Sequence, residues 1–131
     1  MNKPLFTVFV IAYYPPKYLT IVVESIMNQT YDNLEIILVN HAAHTDTVDY
    51  INKVRDADHR IKIINYEYNL ITASPPESGI IVWNKVLSVS KGKYILHISD
   101  DNVLSNNYIE KMVGLFENNK ECTTAAGQVV T

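Results

Sequence analysis

The sequence predicts an α/β domain, a three-layer sandwich in which a mostly parallel sheet carries helices on both of its faces. Along the 131 residues, short apolar runs rich in β-branched and aromatic residues alternate four times with helical patterns. Such alternation favours parallel strands joined by right-handed crossovers. Most of the apolar runs lack regular polar alternation, which is typical of strands that are buried on both faces.

The strands are predicted directly from these apolar runs. Four of them are expected at Phe6–Tyr13, Leu34–Val39, Ile61–Asn65 and Tyr94–Ser99. A weaker pattern predicts a fifth strand from Thr123 to Val130. The helical patterns fill the intervals between the four strong runs, so each crossover is expected to contain a helix.

The first two helices have recognisable ends. Pro16 suits the first position of a helix because its φ is already helical, and Asn28 is expected to end that helix. Thr45 is predicted to be the N-cap of the second helix, which has Asp46 and Asp49 in its first turn. Both helices have apolar stripes that predict their buried faces: Leu19, Val22, Val23, Ile26 and Met27 in the first, and Val48, Ile51 and Val54 in the second.

The third and fourth helices complete the alternation. The third is predicted from about Gly79 to Ser90, with Gly92 closing it. The fourth is predicted to begin near Asn107, whose spacing to Glu110 suits a capping box. Its inward-facing residues are expected to be Ile109, Met112, Leu115 and Phe116.

Composition limits the classes of partner. A length of 131 residues fits one domain that buries a core, and 47% hydrophobic with 19% charged residues is an ordinary globular composition. The net charge of -3, the isoelectric point near 5.7 and the scattered basic residues argue against a nucleic-acid partner. Cys122 is the only cysteine, so the sequence predicts a reducing, cytoplasmic compartment.

No targeting or membrane-spanning segment is predicted. The apolar run from Leu5 to Ala12 stops at tyrosines and prolines without a small-residue cleavage site, and it is interpreted as a buried strand. No segment approaches the ~18 apolar residues that a membrane-spanning helix needs. Peripheral membrane attachment and a homodimer are both left open.

The polar segments that follow the strands predict where a ligand binds. In a parallel sheet, ligands bind beyond the carboxyl ends of the strands. The segments leaving those ends are AYYPP, NHAAHTD, YEYNLITASPPESG and SDDN. We therefore expect a crevice lined by tyrosines, amides, histidines and two carboxylates.

Glycine spacing excludes two common phosphate sites. The four glycines are Gly79, Gly92, Gly114 and Gly127, and they are too far apart for a dinucleotide-binding motif or a P-loop. If the ligand carries phosphate, a divalent cation must neutralise it, and carboxylate oxygens are its preferred ligands.

Asp100 and Asp101 are the candidate ligands of such a cation. Neighbouring side chains of an extended strand point to opposite faces, so both carboxylates reach one ion only if the backbone turns between them. We expect one carboxylate on the metal and the other accepting hydrogen bonds from a ligand hydroxyl. At ~4 Å the two charges would repel by roughly 4 kcal/mol at an effective dielectric constant of ~20, which a cation would offset. Spacing alone leaves an equal alternative, in which the pair caps a turn or the following helix.

Two long segments resemble a known family. TVFVIAYYPPKYLTIVVESIMNQTYDNLEIILVN and WNKVLSVSKGKYILHISDDNVLSNNYIEKMV are similar to the donor-binding half of family 2 glycosyltransferases, which have the GT-A (Rossmann-like) fold. The resemblance implies inverting transfer of a sugar from a nucleotide-diphosphate sugar, with a UDP-sugar as the expected donor. It also implies Mg²⁺ or Mn²⁺ on the diphosphate, an acceptor saccharide or lipid-linked glycan, and a role in cell-surface polysaccharide biosynthesis.

The resemblance also implies roles for individual residues. The SDD segment occupies the family's Asp-x-Asp position: Asp101 would be the main metal carboxylate, Asp100 would lie near the ribose and could reach the metal, and Ser99 replaces the first acid. The positions implied for nucleotide-sugar binding are Ala12, Tyr13, Tyr14, Asn40, His41, Asn84, Ser99 and Asp100.

The chain also departs from the family pattern elsewhere. The family's Pro-Thr-Tyr-Asn after the first strand becomes Ile11-Ala12-Tyr13-Tyr14, which keeps as Tyr13 the tyrosine that helps frame the base, and SPPESG is an insertion relative to the family. The family's Val-Asp-Asp-Gly-Ser becomes Val39 to Ala43, so the acid that contacts the base maps to His41. The family's Ala-Arg-Asn becomes Val82-Trp83-Asn84, which removes an arginine. His97 is predicted to be a hydrogen-bonded core residue, and Trp83 is predicted to be a helix-packing residue.

The catalytic base is not predicted within this chain. By the resemblance, the base and the acceptor pocket come from a later part of the family's sequence. The 131 residues are therefore expected to be a single donor-binding domain that lacks the C-terminal acceptor-binding part. The alternative is a degenerate, non-catalytic nucleotide-sugar-binding module with the same fold.

Overall fold

Over the described residues, strands and helices alternate along the chain, as the apolar patterning predicts. The computed structural model describes residues 3–13, 15–67 and 77–127. Within those ranges the elements are β1 Phe6–Ala12, α1 Pro16–Met27, β2 Leu34–His41, α2 Thr45–Ala57, β3 Ile61–Tyr66, α3 Glu77–Val89, β4 Tyr94–Ser99 and α4 Tyr108–Asn118.

The four strands form one parallel sheet in the order β3-β2-β1-β4. From β1 the chain moves outward to β2 and β3, and then it returns to the other side of β1 to form β4. The direction of winding therefore reverses between β1 and β4. In open α/β sheets the crevice at such a reversal is the usual ligand site.

Both faces of the sheet are covered, which explains why the strands lack polar alternation. On one face, the side chains of Val8, Val10, Ile36 and Leu38 pack with residues of α1, α2 and α4. On the other face, the side chains of Phe9, Ile37 and Val39 pack against Val82 and Val86 of α3. Each fully buried apolar side chain contributes about 1.5–3 kcal/mol relative to exposure. The predicted parallel sheet with helices on both faces is confirmed.

The start of α2 differs from the prediction. Thr45 is the first helical residue, and the N-cap is His44, whose side chain makes no capping hydrogen bond. The turn before the helix is held by Asn40, whose Oδ1 accepts a hydrogen bond from the Ala43 N–H at 3.1 Å. At α1 both predictions are confirmed, since Pro16 occupies the first turn and Asn28 is the C-cap.

The predicted capping box of α4 is wrong, because a distant side chain caps this helix. Asn107 is the N-cap but makes no side-chain capping bond, and the Glu110 carboxylate instead accepts a hydrogen bond from the Thr30 hydroxyl at 2.9 Å. The buried Gln29 accepts a hydrogen bond from the Ile109 N–H at 3.0 Å. Its Nε2 donates to the carbonyl of Ser105 at 2.7 Å, so Gln29 joins the end of α1 to the start of α4.

The buried face of α4 also differs in one position. Ile109 and Val113 are buried, whereas Leu115 is 44% exposed. Residues three, four and seven positions after Ile109 share its face of the helix. Leu115 is six positions after Ile109, so it lies off that face. Phe116 packs inward as predicted and stacks on the ring of Tyr94 at 4.7 Å.

The predicted fifth strand is not observed over residues 123–127, and residues 128–131 lie outside the described part of the chain. This segment contains threonine, alanine and glycine, which offer little apolar surface to a sheet. Gly127 lies so close to the ring of Tyr108 that a Cβ would overlap it. The segment therefore packs back on the start of α4.

Candidate functional site

The carboxyl ends of all four strands meet at one edge of the sheet. The last paired residues of β1 and β4 are Ile11 and Ser99, so Tyr13 and Asp100 leave the sheet side by side. On the other side of β1, Ala12 pairs with Asn40. The polar segments that follow β1, β2 and β4 therefore lie next to one another at the reversal between β1 and β4.

The two adjacent carboxylates occupy different environments. Ser99, Asp100, Asp101 and Asn102 form a turn in which the Asn102 N–H donates to the Ser99 carbonyl at 3.2 Å. Asp100 is buried, with 7% exposure, and its Oδ2 accepts a hydrogen bond from the Tyr13 N–H at 3.1 Å. Asp101 and Ser99 are exposed. The backbone therefore turns between the carboxylates, with one directed into the protein and the other toward solvent.

A cavity of about 620 Å³ lies beside the exposed carboxylate. It runs from the end of β4 to the start of α4, and Ser99, Asp101, Asn102 and Tyr108 contribute to its wall. Its volume is within the range of about 300–1,000 Å³ that is typical of small-molecule sites.

The residues predicted at the end of β2 lie within the sheet. Asn40 and His41 are expected in a loop, but β2 continues to His41, because Asn40 pairs with both neighbouring strands and His41 pairs with Tyr66 of β3. The Asn40 Nδ2 donates to the Asn65 Oδ1 at 3.0 Å, so this amide joins β2 to β3. His41 is fully buried with its ring edge-on to Tyr66, and burial lowers the pKa of His41 so that a neutral imidazole is favoured.

The backbone after His41 follows an unusual path. Ala42 has a φ of 54°, in the left-handed region that L-residues other than glycine rarely adopt. This conformation costs roughly 1–2 kcal/mol for a residue with a Cβ. Because the resembled family has glycine at this position, the chain keeps the loop path that glycine allows even though the glycine is replaced.

An aromatic cluster lies on the α3 face of the sheet. The ring of His97 stacks on Phe9 at 4.7 Å, and Trp83 packs edge-on against Phe9 at 4.7 Å and against His97 at 5.2 Å. The predicted packing role of Trp83 is confirmed, and the partly buried His97 joins this cluster through its ring contacts. Burial lowers the pKa of His97, although the Asp100 carboxylate opposes that shift. On the same helix, the predicted site residue Asn84 is exposed.

The predicted residues after β1 and β3 are only partly described. Ala12 is fully buried, and Tyr13 is 40% exposed at the mouth of the crevice. Tyr14 and residues 68–76 lie outside the described part of the chain. Sequence reasoning missed the Tyr13 N–H as a partner of Asp100, because the contact depends on which strand lies beside β1. It also missed Asn65, although the position of that residue at the end of β3 was a usable signal.

The residues present can supply part of a cation site. Among the described residues, no group of three or more His, Cys, Asp or Glu side chains could hold a metal ion. Mg²⁺ is commonly held by one or two carboxylates together with substrate phosphates and water. The exposed Asp101 next to a cavity fits a cation that arrives with a diphosphate.

Over residues 3–13, 15–67 and 77–127, no helix is both long and apolar enough to cross a lipid bilayer.

Comparisons with known proteins agree with this architecture. The family model described as glycosyl transferase family 2 matches residues 7–130. An uncharacterized glycosyltransferase of Haemophilus influenzae is 35% identical over 122 residues, which are 93% of this chain and 36% of the relative. The Escherichia coli UDP-Glc:alpha-D-GlcNAc-diphosphoundecaprenol beta-1,3-glucosyltransferase WfaP is 33% identical over 98 residues, which are 75% of this chain and 36% of the relative. The chain thus spans about a third of the length of these relatives.

A solved structure confirms the fold. S. aureus TarS 1–349, crystallised in complex with UDP-GlcNAc, superposes with a TM-score of 0.73 and 20% sequence identity. The match covers 88% of this chain and 32% of TarS 1–349. The predicted GT-A type of α/β fold is therefore confirmed.

Proposed function

This chain belongs to glycosyl transferase family 2, and we propose that it forms the site for a nucleotide-diphosphate sugar from which a glycosyl group is transferred to an acceptor hydroxyl. One observation carries the proposal. An exposed carboxylate, Asp101, borders a cavity of ligand size between the end of β4 and the start of α4, and the adjacent carboxylate, Asp100, is already held by the end of β1.

In this proposal, Asp101 is the protein ligand of Mg²⁺ or Mn²⁺, and the buried Asp100 precedes it in the turn. A bound cation would offset the charge of the diphosphate and stabilise the nucleoside diphosphate as it leaves. The chain has no glycine-rich phosphate loop, so carboxylate and cation are the available means of holding this group. The direct role of the protein is to orient the donor at the strand ends and to exclude water from the reacting bond.

The expected donor is a UDP-sugar. The name of WfaP includes UDP-Glc, and TarS was crystallised in complex with UDP-GlcNAc. Both support a UDP-sugar as the donor. We propose that the half-exposed ring of Tyr13 lies against the base, with Ala12 and Tyr14 on the same segment. Asn40 and His41 would shape the floor of the base pocket from within β2. Ser99 would line the diphosphate side of the site, and Asn84 would approach it from α3.

We propose that the catalytic base and the acceptor site come from residues outside these 131. The carboxylates of α4 support this, because they have other partners. Glu117 accepts hydrogen bonds from Lys120, Lys93 and Tyr94, and these contacts lower its pKa to about 2. A carboxylate with such a low pKa is a poor general base near neutral pH. The acceptor would be a saccharide or a lipid-linked glycan, and the WfaP name includes an acceptor of the second kind.

A second candidate is a binding module that retains the donor site without supporting transfer. It is favoured by one observation, the replacement of the family's base-contacting acid by the buried His41. Only the first proposal includes the inverting mechanism, the metal and a role in cell-surface polysaccharide synthesis.

Calorimetry with UDP tests the proposed site. The wild-type chain should bind UDP at least about tenfold more tightly with Mn²⁺ than with EDTA, a difference of ~1.4 kcal/mol. Asp101→Asn should remove this enhancement, because the amide has lost the charge that attracts the cation. Asp49→Asn is the matched control, since Asp49 is an exposed acid on α2 and should bind like wild type. Equal UDP affinity with Mn²⁺ and with EDTA in the wild type would contradict the proposal.

A further inference from the structure

The Asp100 carboxylate makes a contact that differs from metal binding. Backbone pairing between β1 and β4 ends at Ile11 and Ser99. Beyond that point, Asp100 Oδ2 accepts a hydrogen bond from the Tyr13 N–H at 3.1 Å. The side chain thereby continues the connection between the two strands after the backbone ladder has ended.

The burial of Asp100 gives this contact its importance. A carboxylate that is 7% exposed needs polar partners, because an ionised group is costly to remove from water. A backbone N–H that donates to a carboxylate forms a charge-assisted hydrogen bond, which is stronger than one between neutral groups. The turn at Ser99–Asn102 directs the neighbouring Asp101 to solvent and to the cavity instead.

The location of Tyr13 connects this contact to ligand binding. Tyr13 is the first residue after β1, and it is 40% exposed beside the turn that carries Asp100. Fixing the backbone nitrogen holds the Cα from which this ring projects, and so limits the positions that the ring can reach. A restricted ring loses less conformational freedom when a flat ligand packs on it.

From these contacts, and resting on the proposed nucleotide site, we infer that Asp100 is a positioning residue. Its carboxylate anchors the Tyr13 backbone and so holds the Tyr13 ring ready for the nucleotide base, while Asp101 alone serves the cation. The adjacent acids thus act on different parts of one ligand, the base and the diphosphate.

The first test measures the contact without any ligand. Amide hydrogen exchange of Tyr13 is followed by NMR in the ¹⁵N-labelled 131-residue chain. Asp100→Ala should speed exchange of the Tyr13 N–H at least about tenfold, since the acceptor is gone. Asp100→Asn should keep most of the protection, because the amide oxygen can still accept the hydrogen bond. Asp101→Asn should leave this exchange unchanged. Equal Tyr13 exchange rates in the wild type and Asp100→Ala would overturn the inference.

The second test separates positioning from metal binding by UDP titration at several Mn²⁺ concentrations. Asp100→Ala should weaken UDP binding about tenfold while the Mn²⁺ concentration for half-maximal enhancement stays the same. Asp100→Asn should recover most of that affinity, whereas Asp101→Asn should raise the Mn²⁺ requirement. If Asp100→Asn raises the Mn²⁺ requirement as much as Asp101→Asn does, Asp100 is a metal ligand and the inference is overturned.

The two tests fail separately. If the wild type binds no UDP, the proposed function fails, while Tyr13 exchange still reports whether Asp100 anchors the backbone. If Asp100→Ala does not fold, Asp100→Asn still decides between the roles through its Mn²⁺ requirement.

Discussion

Replacing Gly92 with alanine is expected to destabilise the domain by about 3 kcal/mol or more, the upper end of the effect of overpacking a tight site. A Cβ at this position would lie 2.6 Å from the Thr7 backbone nitrogen and 2.7 Å from the Tyr94 carbonyl oxygen. Both atoms belong to paired strands, so neither can move without distorting the sheet. The substitution would also disturb the hydrogen bond from the Gly92 N–H to the Thr7 hydroxyl, which is 3.0 Å long.

Urea unfolding measures this effect, and the chain offers a matched control. Gly114 is within α4, and a Cβ there would have no atom within 4 Å. Gly114→Ala should therefore stabilise the domain by roughly 0.5–1 kcal/mol, the usual gain in a helix. Opposite signs for the two substitutions are the expected result. Similar unfolding midpoints for Gly92→Ala and wild type would contradict the close packing of Gly92 against Thr7 and Tyr94.

The second large effect is expected at Glu35, a buried acid at the amino end of the sheet. Glu35 is 3% exposed and accepts hydrogen bonds from the Thr7 hydroxyl at 2.8 Å, the Lys91 N–H at 2.7 Å and the Lys62 Nζ at 2.6 Å. Glu35→Ala would leave these donors without their acceptor. We expect a loss of about 3 kcal/mol, in the range measured when one partner of a buried network is removed.

The acid dependence of stability tests the charge of Glu35. Burial by itself raises the pKa of Glu35, but the hydrogen bonds from Lys62, Lys91 and Thr7 outweigh it and lower the pKa below its ordinary value of 4.5. A lowered pKa means that the folded state binds this proton less readily than the unfolded state does. The contribution of Glu35 is therefore present above about pH 4.5 and is lost as the pH falls through the lower, folded pKa.

Unfolding free energies measured between about pH 6 and about pH 2.5 give the comparison. Wild type should lose more stability across this range than Glu35→Gln, because the amide does not titrate. The other acids titrate equally in both proteins, so the difference between the two curves isolates Glu35. Parallel curves would show that Glu35 is not held as a carboxylate in the folded state.

Local patterns in the sequence predict the strands and helices. The cap of α4 depends instead on a contact between residues far apart in the sequence. The apolar runs at β1, β2, β3 and β4 are predictable because a strand buried on both faces must be apolar. The cap of α4 was not predictable, because Gln29 reaches it from a position 80 residues away. The capping-box spacing is present, but the Glu110 side chain has a better partner in Thr30.

The candidate site, too, is predictable from the sequence only in part. Its position followed from the rule for parallel sheets, and the SDDN segment marked its acids. The difference between Asp100 and Asp101 could not be predicted, because it depends on β4 lying beside β1 and on the Tyr13 N–H being within reach. Likewise, the burial of His41 follows from pairing of β2 on both sides, which no pattern within β2 itself reveals.

The position at which Mn²⁺ and UDP bind together tests the proposed nucleotide site most directly. A paramagnetic Mn²⁺ ion broadens the NMR signals of nearby amides, so the spectrum of the ¹⁵N-labelled chain locates the ion. With UDP present, we predict selective broadening at Tyr13, Asp101 and Asn102. Lys62 and Lys91, near the amino ends of the strands about 15–20 Å away, should keep their signals. Broadening centred on Lys62 and Lys91, or broadening that does not depend on UDP, would contradict a cation-assisted nucleotide site between β1 and β4.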